Sequence, residues 1–277
     1  MTRPDLSLQS VAPLQASKTL GHRLGRRLAL FLTHPTHVHS PSAAVNLRHL
    51  MACLQPADVL LVEGTTRISV AIKYLTQSTW SHAALYVGDA LGQSNAAGEP
   101  LVFVEADIIE GVHAVAASAF EALHCRVCRP VGLTRKEAAQ ICATAISEIG
   151  EEYDLRNVFD LARYLIPTPP VPARLRRRLL ALGSGVPTRA ICSSLIARAF
   201  HSVSYPILPI IETVPDPVCP ACNAEVLHIR NDCLYVPRDF DVSPYFQIVK
   251  PTLAAGFDHH RLIWADETVP PSHLVRS

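Results

Sequence analysis

The stretch that decides the fold is Thr79-Trp80-Ser81-His82-Ala83-Ala84-Leu85-Tyr86-Val87-Gly88-Asp89. Its side chains alternate with a period of two, which predicts a β-strand that the turn residues Gly88-Asp89 bring to an end. Two sets of side chains then lie on opposite faces: Ala83, Leu85 and Val87 on one, and His82, Ala84 and Tyr86 on the other. A histidine that opens a strand is held rigidly and can reach a cleft, as a general base requires. A purely structural histidine is the alternative.

The bulk composition restricts the classes of protein that fit. The chain has 277 residues, of which 49% are hydrophobic, enough for one large domain or two small ones. A formal net charge of +1 argues against a dedicated nucleic-acid surface. No apolar run approaches the roughly 20 residues of a membrane span, and Met1 to Lys18 lack the order of a secretory signal. We therefore expect a cytoplasmic protein, with peripheral attachment to the inner membrane as an option.

We expect three regions along the chain. Residues 1–43 form a peripheral extension, residues 44–251 the main domain, and residues 252–277 a tail. Prolines cluster between Pro206 and Pro220, so we expect a loop-rich insertion at about 206–232.

The extension contains a basic amphipathic pattern at residues 20–31. Leu20, Leu24, Leu28 and Phe31 recur at helical spacing, and basic side chains lie among them. Such a helix is typical of a segment that touches a membrane surface or an acidic partner. A solvated helix docked on the main domain is the alternative.

Leu101-Val102-Phe103-Val104-Glu105 reads as the second arm of a hairpin whose first arm is the His82 strand. Antiparallel pairing places the beginning of one strand beside the end of the other. His82 opens the first arm and Glu105 closes the second, so the two can be cross-strand neighbours. An exposed edge position is the alternative for Glu105.

Two helices follow from capping and periodicity. Thr134 and Glu137 fit a capping box, and an apolar stripe that includes Cys142 runs from Ala138 to Ile149. A second apolar helical face begins in Ile191-Cys192-Ser193-Ser194-Leu195-Ile196. Because a helix N-terminus carries partial positive charge, a cysteine at the position of Cys192 can have a lowered pKa. A structural thiol is the alternative.

Taken together, these stretches resemble the permuted papain-like cysteine hydrolases of the NlpC superfamily, specifically the YiiX-like group. The resemblance runs from roughly Leu54 to Pro251 and rests on the order of the motifs more than on any one of them. Further matching stretches are Asp58–Gly64, Ile68–Thr76, Val104–Ala106, Tyr153–Leu155, Ile191–Ile196, Pro237–Asp241 and Ser243–Phe246.

The resemblance implies an α+β, circularly permuted papain-like (NlpC-type) fold, with an antiparallel sheet or small barrel packed against helices that include the cysteine helix. It implies Cys192 as nucleophile, His82 as base and Glu105 as the residue that orients the imidazole. Tyr153 would contact the substrate or the oxyanion. The reaction would be hydrolysis or acyl transfer at an amide or ester bond of a small peptide-like or acylated, lipid-like substrate, through a thioester and without a cofactor.

A zinc-stabilised, non-catalytic binding module is the competing hypothesis. Cys219-Pro-Ala-Cys222 is followed by His228 and Cys233, and tetrahedral zinc accepts such a ligand set. The spacing matches no standard zinc finger. A loop with reduced thiols or an incidental disulfide is the alternative. Eight cysteines in a chain of this length are too few for a disulfide scaffold, which favours reduced thiols in a cytosolic protein.

Overall fold

A computed structural model describes residue 34 and residues 46–107, 109–121, 123–151, 191–215, 219 and 223–261. These residues form a mixed α+β structure built on a six-stranded antiparallel sheet with the strand order β4-β3-β2-β1-β5-β8. The strands are β1 Val59–Glu63, β2 His82–Tyr86, β3 Leu101–Asp107, β4 Gly111–Ala116, β5 His124–Pro130, β6 Ile210–Pro215, β7 Asn223–His228 and β8 Phe246–Val249. The helices are α1 Leu47–Cys53, α2 Arg67–Thr76, α3 Arg135–Ser147, α4 Ile191–His201, α5 Pro237–Val242 and α6 Pro251–Ala254.

Both faces of the central sheet are buried, because alternate side chains of β1 serve different cores. Val59 and Leu61 belong to the core beneath α3 and α4, whereas Leu60 and Val62 belong to the core beneath α1. All four are at most 1% exposed. The near-continuous apolar sequence of β1 therefore follows from its position between two layers of helix.

Local sequence signals fix the helices that pack on this sheet. The Thr134 hydroxyl accepts the Glu137 N–H and the Glu137 carboxylate accepts the Thr134 N–H, so the predicted capping box is confirmed. Cys142, in the apolar stripe of α3, is buried in the core. Helix α4 packs between α3 and the strands β2 and β3. The cysteine helix therefore lies directly over the His82 strand.

The prediction of a loop-rich insertion at about 206–232 is wrong in its centre. Strands β6 and β7 pair in a regular two-stranded sheet from Ile210↔His228 to Pro215↔Asn223. The clustered prolines come before β6, at its last residue, or in the segment that connects β6 to β7, so the β-branched residues inside β6 are free to pair.

Several predictions lie outside the described residues. They concern the segment 20–31, Tyr153, Cys222 and most of the tail 252–277. The three predicted regions stay predictions. Among the described helices, none combines the length and the apolar character that crossing a bilayer needs.

Candidate active site

Strands β2 and β3 separate at the end where β2 begins. They pair at Leu85↔Val104 and Tyr86↔Phe103, whereas β1 stays paired with β2 as far as His82. Continuing the β2–β3 register would set Ala84 opposite Glu105, so His82 and Glu105 are diagonal neighbours rather than direct partners. The separation leaves an opening beside His82.

His82 and Glu105 meet across this opening. The Nε2 atom of His82 lies 2.8 Å from Oε2 of Glu105, and because a carboxylate only accepts, the imidazole donates this hydrogen bond. Burial raises the pKa of Glu105, but His82 and His113 outweigh it and bring that pKa to about 2. Burial lowers the pKa of His82, yet the charges of Glu105 and Cys192 hold it well above its ordinary value. The geometry therefore favours an imidazolium–carboxylate pair.

Cys192 lies in the first turn of α4 and is 5% exposed. Burial by itself raises the pKa of its thiol, but His82 charge and a His82 hydrogen bond lower it below the ordinary value, with help from the Ala83 backbone N–H and Ser193. Because Nε2 of His82 is hydrogen-bonded to Glu105, the hydrogen bond between His82 and the Cys192 sulfur uses the other ring nitrogen, Nδ1. The structure thus brings Cys192, His82 and Glu105 together.

The lowered pKa of Cys192 contrasts with the raised pKa values of two other thiols in the same protein, those of the half-buried Cys125 and the buried Cys142. Burial raises the pKa of Cys125 to about 12 and that of Cys142 to about 11. Cys142 also lies on a helix over the same face of the sheet, but no charged partner offsets its burial. The difference at Cys192 therefore comes from His82 and the backbone of β2.

His113 is a member of this group that the sequence reasoning missed. Its Nε2 atom lies 3.3 Å from Oε1 of Glu105, the oxygen that His82 does not use. A tight turn between β3 and β4 would have indicated its position, because a hairpin that pairs Asp107 with Gly111 also pairs Glu105 with His113. The register of β3 and β4 thus places two histidines around one carboxylate.

The segment before His82 is fixed by Trp80, which is 3% exposed. Its Nε1–H donates to Oδ2 of Asp241, 3.0 Å away, and Arg126 binds the other oxygen of the same carboxylate at 2.7 Å. The Arg126 guanidinium also lies over the Trp80 ring, 4.9 Å from its centroid. The segment that opens β2 and helix α5, which contains Asp241, are therefore in direct contact.

Three of the four candidate zinc ligands lie among the described residues, and each of them has another partner. Cys219 is in a disulfide bond, so it offers no thiolate to a metal. Nε2 of His228 lies 2.8 Å from Glu212, and the thiol of Cys233 lies 3.8 Å from Asp232. Within the described ranges, the cluster with metal-binding spacing is a different one, the exposed Asp258, His259 and His260.

Comparison with known proteins adds no relative. The chain matches no model of a known protein family, and no curated protein matches its sequence.

Proposed function

We propose that this protein is a cysteine hydrolase or acyltransferase that acts on an amide or ester bond through a thioester intermediate. The observation that carries the proposal is the placement of His82 between Glu105 and Cys192, with the pKa of the buried Cys192 thiol lowered by that histidine. Buried thiols without such a partner have raised pKa values, so the arrangement is typical of an activated nucleophile.

The proposed reaction begins from the Cys192 thiolate and the His82 imidazolium. The thiolate attacks the substrate carbonyl, and His82 gives its proton to the departing amine or alcohol, which leaves Cys192 as a thioester. His82, now neutral, takes a proton from water or from another acceptor as that acceptor attacks the thioester. Cys192 departs as a thiolate and His82 is again an imidazolium. Glu105 remains ionised throughout and holds the ring orientation.

The start of α4 supports the charge that develops during both attacks. Cys192 lies in the first turn of an eleven-residue helix, whose N-terminal N–H groups carry partial positive charge. The Cys192 backbone N–H is therefore our candidate donor to the tetrahedral oxyanion.

The wider proposal is a permuted papain-like fold of the YiiX-like group. What supports it is the order of the parts: the histidine strand β2 precedes the cysteine helix α4, which packs on β2 and β3 of an antiparallel sheet. For the substrate we propose a small peptide-like or acylated, lipid-like molecule. Water as acceptor gives hydrolysis, and an alcohol or amine gives acyl transfer.

Labelling with a thiol-directed acyl probe tests the proposal. We expect rapid labelling of the native chain at Cys192, loss of that label in Cys192→Ser, and strongly slowed labelling in His82→Ala and Glu105→Gln. Cys233→Ser is the matched control, because this free thiol lies away from His82 and its removal should change nothing. Equal labelling of the native chain and Cys192→Ser would defeat the assignment and favour a non-catalytic binding module.

A further inference from the structure

His113 is surrounded by hydrogen-bond acceptors on both of its ring nitrogens. Nε2 lies 3.3 Å from Oε1 of Glu105 and 3.6 Å from Oε2 of Glu110, and Nδ1 lies 3.1 Å from the Gly111 carbonyl oxygen. A neutral imidazole has only one N–H, so one nitrogen would turn a lone pair toward an oxygen. The charged ring donates from both nitrogens. The contacts therefore favour an imidazolium at His113.

We propose that His113 is a positioning residue of the candidate active site, a fixed cation that orients Glu105 and offsets part of the negative charge that Glu105 presents to His82. This inference rests on the proposed function of Cys192 and His82. Its basis is geometric: His82 and His113 bind different oxygens of one carboxylate that is 13% exposed.

The offset matters because His82 has to release its proton as well as hold it. A carboxylate 2.8 Å from the ring stabilises the imidazolium, which supports the thiolate but opposes the neutral form that the second half of the reaction needs. A cation on the far side of the carboxylate weakens that stabilisation. His113 therefore keeps His82 within the range in which it can act as both acid and base.

Among the described residues, the charged groups that face this pair come from two elements, β3 and α4, and from one turn. His82 faces Glu105 of β3 and Cys192 of α4. His113 faces Glu105, Asp107 at the end of β3, and Glu110 in the turn before β4. The hydrogen bond from Glu105 raises the pKa of His113 to about 9, although burial opposes it, so the ring stays charged at neutral pH.

The test is the pH dependence of alkylation at Cys192. Iodoacetamide is reacted with the full-length native chain and with three variants, and the Cys192 peptide is quantified by mass spectrometry from pH 5 to 10. His113→Gln removes the charge, and His113→Lys keeps a cation. His124→Gln is the matched control, because His124 also lies beside a carboxylate, Glu63, at 3.1 Å but has no contact with Glu105. Thermal melts establish that each variant is folded.

We expect two steps in the native profile, an acid step for formation of the ion pair and an alkaline step for loss of the His82 proton. In His113→Gln the alkaline step moves up by about one pH unit, because a nearby positive charge has been removed. In His113→Lys and His124→Gln the alkaline step stays within about 0.3 pH units of its native position, because neither variant removes a positive charge beside Glu105.

An unshifted alkaline step in His113→Gln overturns the proposal while leaving the ion pair, and so the proposed function, in place. An equal shift in His113→Lys also overturns it, since the charge would then not be the cause. A native profile with a single step near the ordinary thiol value of about 8.5 contradicts the ion pair itself, and both proposals fail together.

Discussion

The Nε2 atom of His82 lies 2.8 Å from Oε2 of Glu105, at the point where β2 and β3 have already separated. Backbone pairing therefore does not hold these two residues together; their side chains do. The same separation frees the Ala83 N–H from the β3 ladder, and that N–H instead hydrogen-bonds to Cys192. The separation of β2 and β3 thus makes room for the Cys192 thiol beside His82 and the Ala83 N–H. It also allows the side chains of His82 and Glu105 to meet.

Glu105→Gln should reduce the rate of Cys192 acylation by roughly 100-fold, because it disturbs the orientation and charge of His82, and a general acid–base group such as His82 typically contributes that much or more. Loss of the negative charge lowers the pKa of His82, which in turn raises the pKa of Cys192, so the thiolate appears only at higher pH. Probe labelling as a function of pH measures both effects. Glu63→Gln is the matched control, because Glu63 contacts His124 and Lys73 but not the site. A similar loss in both variants would contradict a specific role for Glu105.

The stability of the protein should be greatest between about pH 4.5 and 6.5. The folded pKa of Glu105 is lowered from 4.5 to about 2, so its stabilising effect is present above 4.5 and is lost as the pH falls toward 2. The folded pKa of His113 is raised from 6.5 to about 9, so its effect is present below 6.5 and is lost as the pH rises toward 9.

Urea unfolding from pH 3 to 9.5 checks this profile. Glu105→Gln should flatten both limbs, because both pKa shifts depend on that carboxylate. Glu110→Gln, the exposed carboxylate 3.6 Å from His113, should change the profile much less. Identical slopes in the native chain and in Glu105→Gln would contradict the assignment.

The strands and helices could largely be predicted from the sequence, because they depend on local periodicity and capping. The period of two marks the strands that carry His82 and Glu105, and Thr134 with Glu137 marks the start of α3. These signals lie within a few residues of one another, and tertiary packing does not override them.

The details of the site depend on register and on where pairing stops, which local patterns do not specify. The β2–β3 ladder ends beside α4, which contacts both strands from about 100 residues away in the sequence. The position of His113 opposite Glu105 can be predicted only when the β3–β4 register is known. An irregularity between Leu101 and Phe103 shifts that register near the start of β3. Proline content alone does not predict the β6–β7 hairpin, because the prolines flank β6, end it, or lie between the two strands, and so leave the ladder intact.

Residues 20–31 should mediate binding to anionic membranes if the predicted basic amphipathic helix contacts a lipid surface. Arg26→Glu with Arg27→Glu should reduce binding to phosphatidylserine-containing vesicles about tenfold or more, since each basic residue near such a surface contributes about 1 kcal/mol. Arg135→Glu with Lys136→Glu, both exposed at the start of α3, is the matched charge reversal and should change binding little. Vesicle sedimentation of the full-length proteins measures this, and equal losses would indicate a non-specific charge effect.

Gly64→Ala should destabilise the protein by about 1–3 kcal/mol through overpacking. A Cβ atom at Gly64 would lie 2.3 Å from Oγ and 3.0 Å from Cβ of Ser69, and 3.0 Å from Oγ of Ser81. Ser81 accepts the Gly64 N–H and directly precedes His82, so probe labelling of Cys192 should slow as well. Adding Ser69→Ala removes the closest atom and should recover part of the loss in urea unfolding. No recovery in the double variant would show that the clash has a different origin.

Arg129→Met should cost about 3–5 kcal/mol of stability, because it leaves a buried carboxylate without its partner. Asp58 is 1% exposed, and the Arg129 guanidinium donates to both of its oxygens, at 2.9 Å from Nε and 2.7 Å from Nη2. Burial raises the pKa of Asp58 even with this partner present, so the ion pair does not fully offset the loss of hydration.

Asp58→Asn should therefore cost less than Arg129→Met, since Arg129 is 22% exposed and can turn toward water. The double variant Asp58→Asn with Arg129→Met should be more stable than Arg129→Met alone, because the unpaired charge has gone. Urea unfolding of the three variants measures the coupling, and additive losses would show that Arg129 acts by packing rather than by charge.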